Sequence, residues 1–201
     1  DNFGKIQSAN VGGGFQNLVY QKNAEQNLNL LPESKSFYLK GENDINYYDV
    51  KTPTTTFFYN NAMRNGGQLQ TTYTQNVGKN FNFAIEYMGL RSQGLYRNSL
   101  ASSNNTLFSG HYISKNNKYE AYAHYIHQNI NNQENGGIVD LDVFLSGDSR
   151  FNNRQNIQTN LDGAESRYSY RRYYFSQESS PFDPAKYPFK LRHTIFHQGN
   201  K

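Results

Sequence analysis

The chain has 201 residues, 35% of them hydrophobic, with 17 Tyr, 14 Phe, no Cys and a formal net charge of +4. The lack of Cys excludes disulfides, thiolate metal sites and cysteine nucleophiles, and the modest charge, without a basic run, argues against a nucleic-acid partner. A mean hydropathy of −0.90 with this many aromatics does not fit a disordered chain; it suits a sheet with one apolar face and one wet face.

Residues 1–35 read as weakly organised: FGKIQSANVGGGF gives a short strand and a Gly turn at 12–14, followed by an Asn-rich stretch ending at Pro32. The Gly run lacks the Lys-Ser/Thr of a phosphate loop. Strands become regular from Ser36, with SFYLKG and INYYDV before Pro53 and TTTFFYN after it. Four strands follow, GGQLQTTYTQNV, NFNFAIEYMGL, TLFSGHYISK and KYEAYAHYIHQN, joined at the short ends by GKN at 78–80 and NN at 116–117. Strands of about ten residues match the roughly 9–11 that cross a bilayer when tilted; soluble strands more often stop near 5–6. The segment 131–166 is rich in Asn, Gly and Asp around an apolar patch, IVDLDVFLSG, and reads as a functional or surface loop. Two more strands are predicted at 168–177 and 189–198. The three prolines of SSPFDPAKYP between them forbid a central strand. That makes about eight strands and no helix.

Alternation assigns faces. Leu69, Thr71, Tyr73 and Val77 oppose Gln68, Gln70, Thr72, Thr74 and Asn76. Phe81, Phe83, Ile85 and Tyr87 oppose Asn82 and Glu86, and Tyr119, Ala121, Ala123 and Tyr125 oppose Glu120, His124 and Gln128. A soluble antiparallel sandwich has the same alternation. The connections separate the two: short at 78–80, long at 91–105, short at 116–117 and very long at 131–166. Outer-membrane barrels have short periplasmic turns and long extracellular loops; the 178–188 connection is the exception. No stretch approaches 18 apolar residues, so neither a membrane helix nor a signal peptide is expected. A start at Asp1 is consistent with a processed or trimmed chain.

Reactive chemistry is sparse. His124 and His127 fall on opposite strand faces, and His193 and His197 lie about 13 Å apart at strand rise, so no zinc pair is expected. DLD at 140–142 lacks the Gly and distal Glu of a calcium loop. With no GxSxG or HExxH and no obvious carboxylate pair, neither an enzyme nor a cofactor is expected. Tyr96, Tyr112, Tyr119, Tyr125, Tyr168 and Tyr170 are candidates for interfacial girdles. Arg171 and Arg172 are adjacent, so one must face the apolar side, at about 2–4 kcal/mol if it lies at a bilayer midplane.

Three stretches, YYDVKTPTTTFFY at 47–59, GGQLQTTYTQNVGKNFNFAIEYMGLRSQGLYRN at 66–98 and NKYEAYAHYIHQNINNQENGGI at 117–138, resemble the putative-porin family of Bacteroidota outer membranes. The resemblance is a diffuse pattern of aromatics and glycines. It implies a bacterial outer-membrane β-barrel and brings no catalytic or metal residues with it. Members look longer than this chain, which ends at HTIFHQGNK, so the chain is expected to be the N-terminal part of a larger barrel.

The reading is an all-β fold, an antiparallel transmembrane β-barrel or part of a larger one. Residues 1–35 form a weakly organised segment and 36–201 the strands, with 131–166 a long extracellular loop. The predicted function is porin-like passive diffusion of small solutes across the bacterial outer membrane. Gln70, Thr72, Thr74, Glu86, Glu120, His124, Arg171, Lys190 and Arg192 are predicted to line the pore. Predicted partners are outer-membrane lipid and, through 131–166, other outer-membrane proteins. The alternatives are a structural or docking subunit of a larger outer-membrane assembly and a soluble carbohydrate-binding β-sandwich.

Overall fold

Long runs of alternating polar and apolar residues, closed by Gly and Asn turns, pair with their chain neighbours. A computed structural model describes residues 4–7, 10–19, 33–36, 38–62, 64–182, 187 and 189–201. A small hairpin, β1 (Lys5–Gln7) and β2 (Phe15–Asn17), and one helical turn, α1 (Glu33–Ser36), come first. Seven strands follow: β3 (Thr54–Ala62), β4 (Gly66–Val77), β5 (Phe81–Ser92), β6 (Ala101–Ile113), β7 (Tyr119–Gln133), β8 (Glu165–Ser179) and β9 (Leu191–Asn200). They form one antiparallel sheet in the order β3-β4-β5-β6-β7-β8-β9. β3 and β9 occupy the two edges and do not pair with each other. The fold is thus nearly all antiparallel sheet, left open, as in a partial or open barrel.

β4 coincides with the predicted GGQLQTTYTQNV, whereas β5, β6 and β7 are longer than the sequence predicts, reaching 15 residues in β7. The β5–β6 connection shrinks to 93–100, because SSNN at 102–105 continues β6. Turn chemistry sets the short ends. Gly78 adopts φ +69 and Asn117 φ +55, left-handed values that Gly and Asn tolerate. The connection between β8 and β9 is described only in part, since 183–186 and 188 lie outside the described residues. So does the Asn-rich stretch up to Pro32.

Two expectations change. The described residues of SFYLKG and INYYDV are not strands of the sheet. Residues 38–50 run outside it, through a 3-10 turn at Glu42–Asp44. The 134–164 connection also holds a short helix, α2 (Leu141–Leu145). Asp140 caps it by accepting hydrogen bonds from the Asp142 and Val143 amides, a structural use for the acidic DLD triplet. This connection folds over its neighbours. Gln155 donates to the carbonyls of Gly94 and Tyr96, Asn98 donates to that of Leu161, and Arg64 donates to the Asn153 side chain at 2.7 Å.

Candidate functional site: the covered face of the sheet

Strand period two splits the sheet into two unlike faces. On one, Thr72, Glu86, Leu107, Ile126, Arg172 and Gln198 are successive register partners across six strands. Residues 38–50 lie on this face and cover it. On the other face, Tyr73, Ile85, Phe108, Tyr125 and Tyr173 are successive partners, and Phe83, Gly110, Ala123, Phe175 and Ile195 form the next row. This second face stays open: Ile85 is 39% exposed and Phe108 45%.

The contacts on the covered face are mostly polar. The Lys40 amide donates to Gln128 Oε1 at 2.8 Å, and Gln128 Nε2 donates back to the Lys40 carbonyl at 2.9 Å. Lys40 Nζ reaches Glu86 Oε2 at 2.8 Å, and the Tyr48 hydroxyl donates to Glu86 Oε1 at 2.9 Å. Tyr47 Oη and His124 Nδ1 are hydrogen-bonded at 2.7 Å. Asn76 Nδ2 donates to Asp49 Oδ1 at 2.7 Å, and the Val50 amide donates to Asn76 Oδ1. One apolar cluster interrupts this pattern: Ile45 packs on Leu107, Ile126 and Tyr170, with Tyr47 and Tyr168 beside it.

Of the residues predicted from sequence, Gln70, Thr72, Thr74, Glu86, Glu120, His124 and Arg192 share the covered face. Lys190 stands just before β9 at the rim, where it and Arg192 both hold Glu178, at 2.6 and 2.8 Å. Arg171 is a correction. It pairs with His127 on the open face, in the row of Tyr87 and Thr106. Its neighbour Arg172 takes the covered face, with Nη2 donating to Gln198 Oε1 at 3.2 Å. Tyr168 and Tyr170 are likewise on the covered face, and Tyr96 lies in the 93–100 connection, so the three do not form a girdle. Tyr112 and Tyr119 do meet on the open face near the short turns, with ring centroids 6.2 Å apart. Sequence reasoning missed Lys40, Tyr47 and Tyr48, because their aromatic-rich surroundings read as strands. It also missed the in-phase positions Asn82 and Arg172.

At the opposite end of the sheet from the short turns, Glu134 accepts from Lys35 Nζ and from Ser166 Oγ. Burial raises the Glu134 carboxyl pKa. The hydrogen bonds from Lys35 and Ser166 and the Lys35 charge outweigh burial and hold it below the usual carboxylate value.

A family model described as putative porin matches residues 1–201. The chain belongs to that family. No curated protein and no solved structure matches it. In a porin-family chain with an open antiparallel sheet, the candidate site is the polar covered face, and the chemistry available there is hydrogen bonding and ion pairing.

Proposed function

We propose that the sheet is part of the wall of an outer-membrane channel for passive diffusion of small solutes, with its open face toward lipid and its covered face toward the lumen. The distribution of side chains on the open face carries this reading. From the row of Tyr119 and Leu191 up to that of Tyr87 and His127, aromatic and aliphatic side chains predominate on the open face of the central strands, with Gln75, Gln177, His193 and His197 toward the sheet edges and Arg171 in the last row. Beyond that row it turns polar, with Asn104, Asn129 and Ser169 aligned, then Arg91, Ser102, Asn131 and Arg167. The apolar zone covers nine residues of β7, 119–127, eight steps or about 20 Å of height at the usual tilt, close to the ~25 Å band of outer-membrane barrels. An open sheet of this kind exposes its aromatics to water at a high cost in the hydrophobic effect; lipid removes that cost. The short turns lie next to the apolar zone and the 134–164 connection lies beyond the polar rows, which supports periplasmic turns and an extracellular loop. Family membership supports the bacterial outer membrane as the location.

Covered-face side chains of both signs argue for weak ion selectivity. Reconstituted in planar bilayers, the protein should give ohmic channels with mild selectivity. A second reading, a docking subunit, is favoured by Val139, Leu141 and Leu145, which stand exposed on the 134–164 connection. Folding into bilayers without current in any variant, with a co-purifying outer-membrane protein lost on deletion of 138–146, would favour that reading.

A further inference from the structure

Residues 38–50 follow an ordered path. From Lys35, which holds Glu134 and Ser166 at the loop end, the contacts descend the covered face to the short-turn end: Lys40 on Gln128, Tyr47 on His124, then Asp49 and Val50 on Asn76. β3 starts a few residues later, at Thr54. Upstream, the segment is fastened at the loop end. Asn10 Nδ2 donates to the Ser92 and Ser99 carbonyls at 2.9 and 2.6 Å, and Asn132 Nδ2 donates to the Gly12 carbonyl. Gly12 has φ +87, a left-handed backbone that favours glycine.

We propose that residues 38–50 are a plug that lies along the pore and restricts it. The proposal rests on the channel reading above. The segment sits on the residues that would otherwise line the lumen: Glu86 is 6% exposed and His124 5%. The contact is also built for exchange with water. A permanent core is dry and apolar, yet here the apolar contact comes from Ile45 and the Tyr47 ring, and the remaining grip is hydrogen bonds to side chains and the Lys40–Glu86 ion pair. Asn105 Oδ1, His124 Nε2 and Arg172 Nε are buried on this face with no partner among the described residues. Buried polar atoms of this kind take water as partner. Withdrawing the plug returns them and Glu86 to lumen water, which replaces the lost hydrogen-bond partners and offsets much of the loss of the segment's contacts.

The chain has no Cys, so paired cysteines report without background. Asp49→Cys with Asn76→Cys tests the short-turn end. Asn46→Cys with Ser109→Cys tests the middle, where Ser109 Oγ donates to the Asn46 carbonyl. Thr74→Cys with Ala84→Cys, on paired strands, is the control. Each is refolded into bilayers, oxidised, and measured before and after reduction, beside a deletion of 38–50. The plug predicts disulfides at both test pairs, low conductance when oxidised, and a several-fold rise on reduction or deletion. Failure of both test pairs while the control closes would overturn it. So would closed pairs with equally high conductance in both redox states. Closed pairs with no current in any form, deletion included, would instead bring down the channel reading and the plug with it.

Discussion

Arg171 and Arg172 divide the two faces at one peptide bond. Arg171 shares its row with His127 and Thr106, and the next row outward is Ser169, Asn129 and Asn104. It therefore stands at the edge of the apolar zone, where an exposed cation costs about 0–1 kcal/mol instead of the midplane value. Arg172 stands over Tyr170, 5.4 Å from the ring centroid, on the covered face. In the open channel, Arg172→Gln should shift ion selectivity and Arg171→Gln should leave it unchanged; reversal potentials in a salt gradient measure both. Glu134 gives a pH prediction. Its folded pKa is depressed, so its contribution is complete above the unfolded carboxylate value, about 4.3, and is lost as pH falls through the folded value. The side chain is 44% exposed, and solvent screening keeps the contribution below about 1 kcal/mol. The stability difference between the protein and Glu134→Gln should be constant near neutrality and vanish in acid. A difference that grows on acidification would contradict the assignment.

Among the elements, β5 shows the alternation most cleanly: Phe81, Phe83, Ile85 and Tyr87 on the open face, Asn82, Ala84 and Glu86 buried on the covered one. Ile85→Arg should hinder folding into lipid vesicles by about 2–4 kcal/mol, and Gln70→Arg, exposed on the covered face, should be tolerated. Equal penalties would remove the distinction between the faces. Strands such as β5 were legible in the sequence because period two, aromatic content and Gly/Asn turns all agree there. β8 was legible as a strand at 168–177, but its faces were not, because its doublets, Arg171–Arg172 and Tyr173–Tyr174, carry no phase, and only pairing with β7 fixes it. Residues 38–50 misled for another reason. SFYLKG and INYYDV have strand propensity, but their backbone and side chains find partners on the Gln128, Glu86 and His124 side chains rather than on a neighbouring strand. Local sequence does not encode that tertiary choice.

At the scale of the molecule, two unlike faces have two unlike neighbours. The covered face is matched by the chain's own segment and by polar groups that suit water. The open face is matched by nothing among the described residues, and its aromatic band has the height and flanking rows expected beside lipid. The edges β3 and β9 remain without strand partners in the sheet, and backbone groups at bilayer depth require them. The most direct measurement is a collision scan along β5. Single cysteines at positions 82 to 88 carry a spin label in lipid vesicles, and relaxation is compared between a lipid-dissolved and a water-dissolved agent. Labels at Phe83, Ile85 and Tyr87 should respond to the lipid agent and those at Asn82, Ala84 and Glu86 should not, with a period of two. A flat profile, or lipid contact at the even positions, would contradict the account.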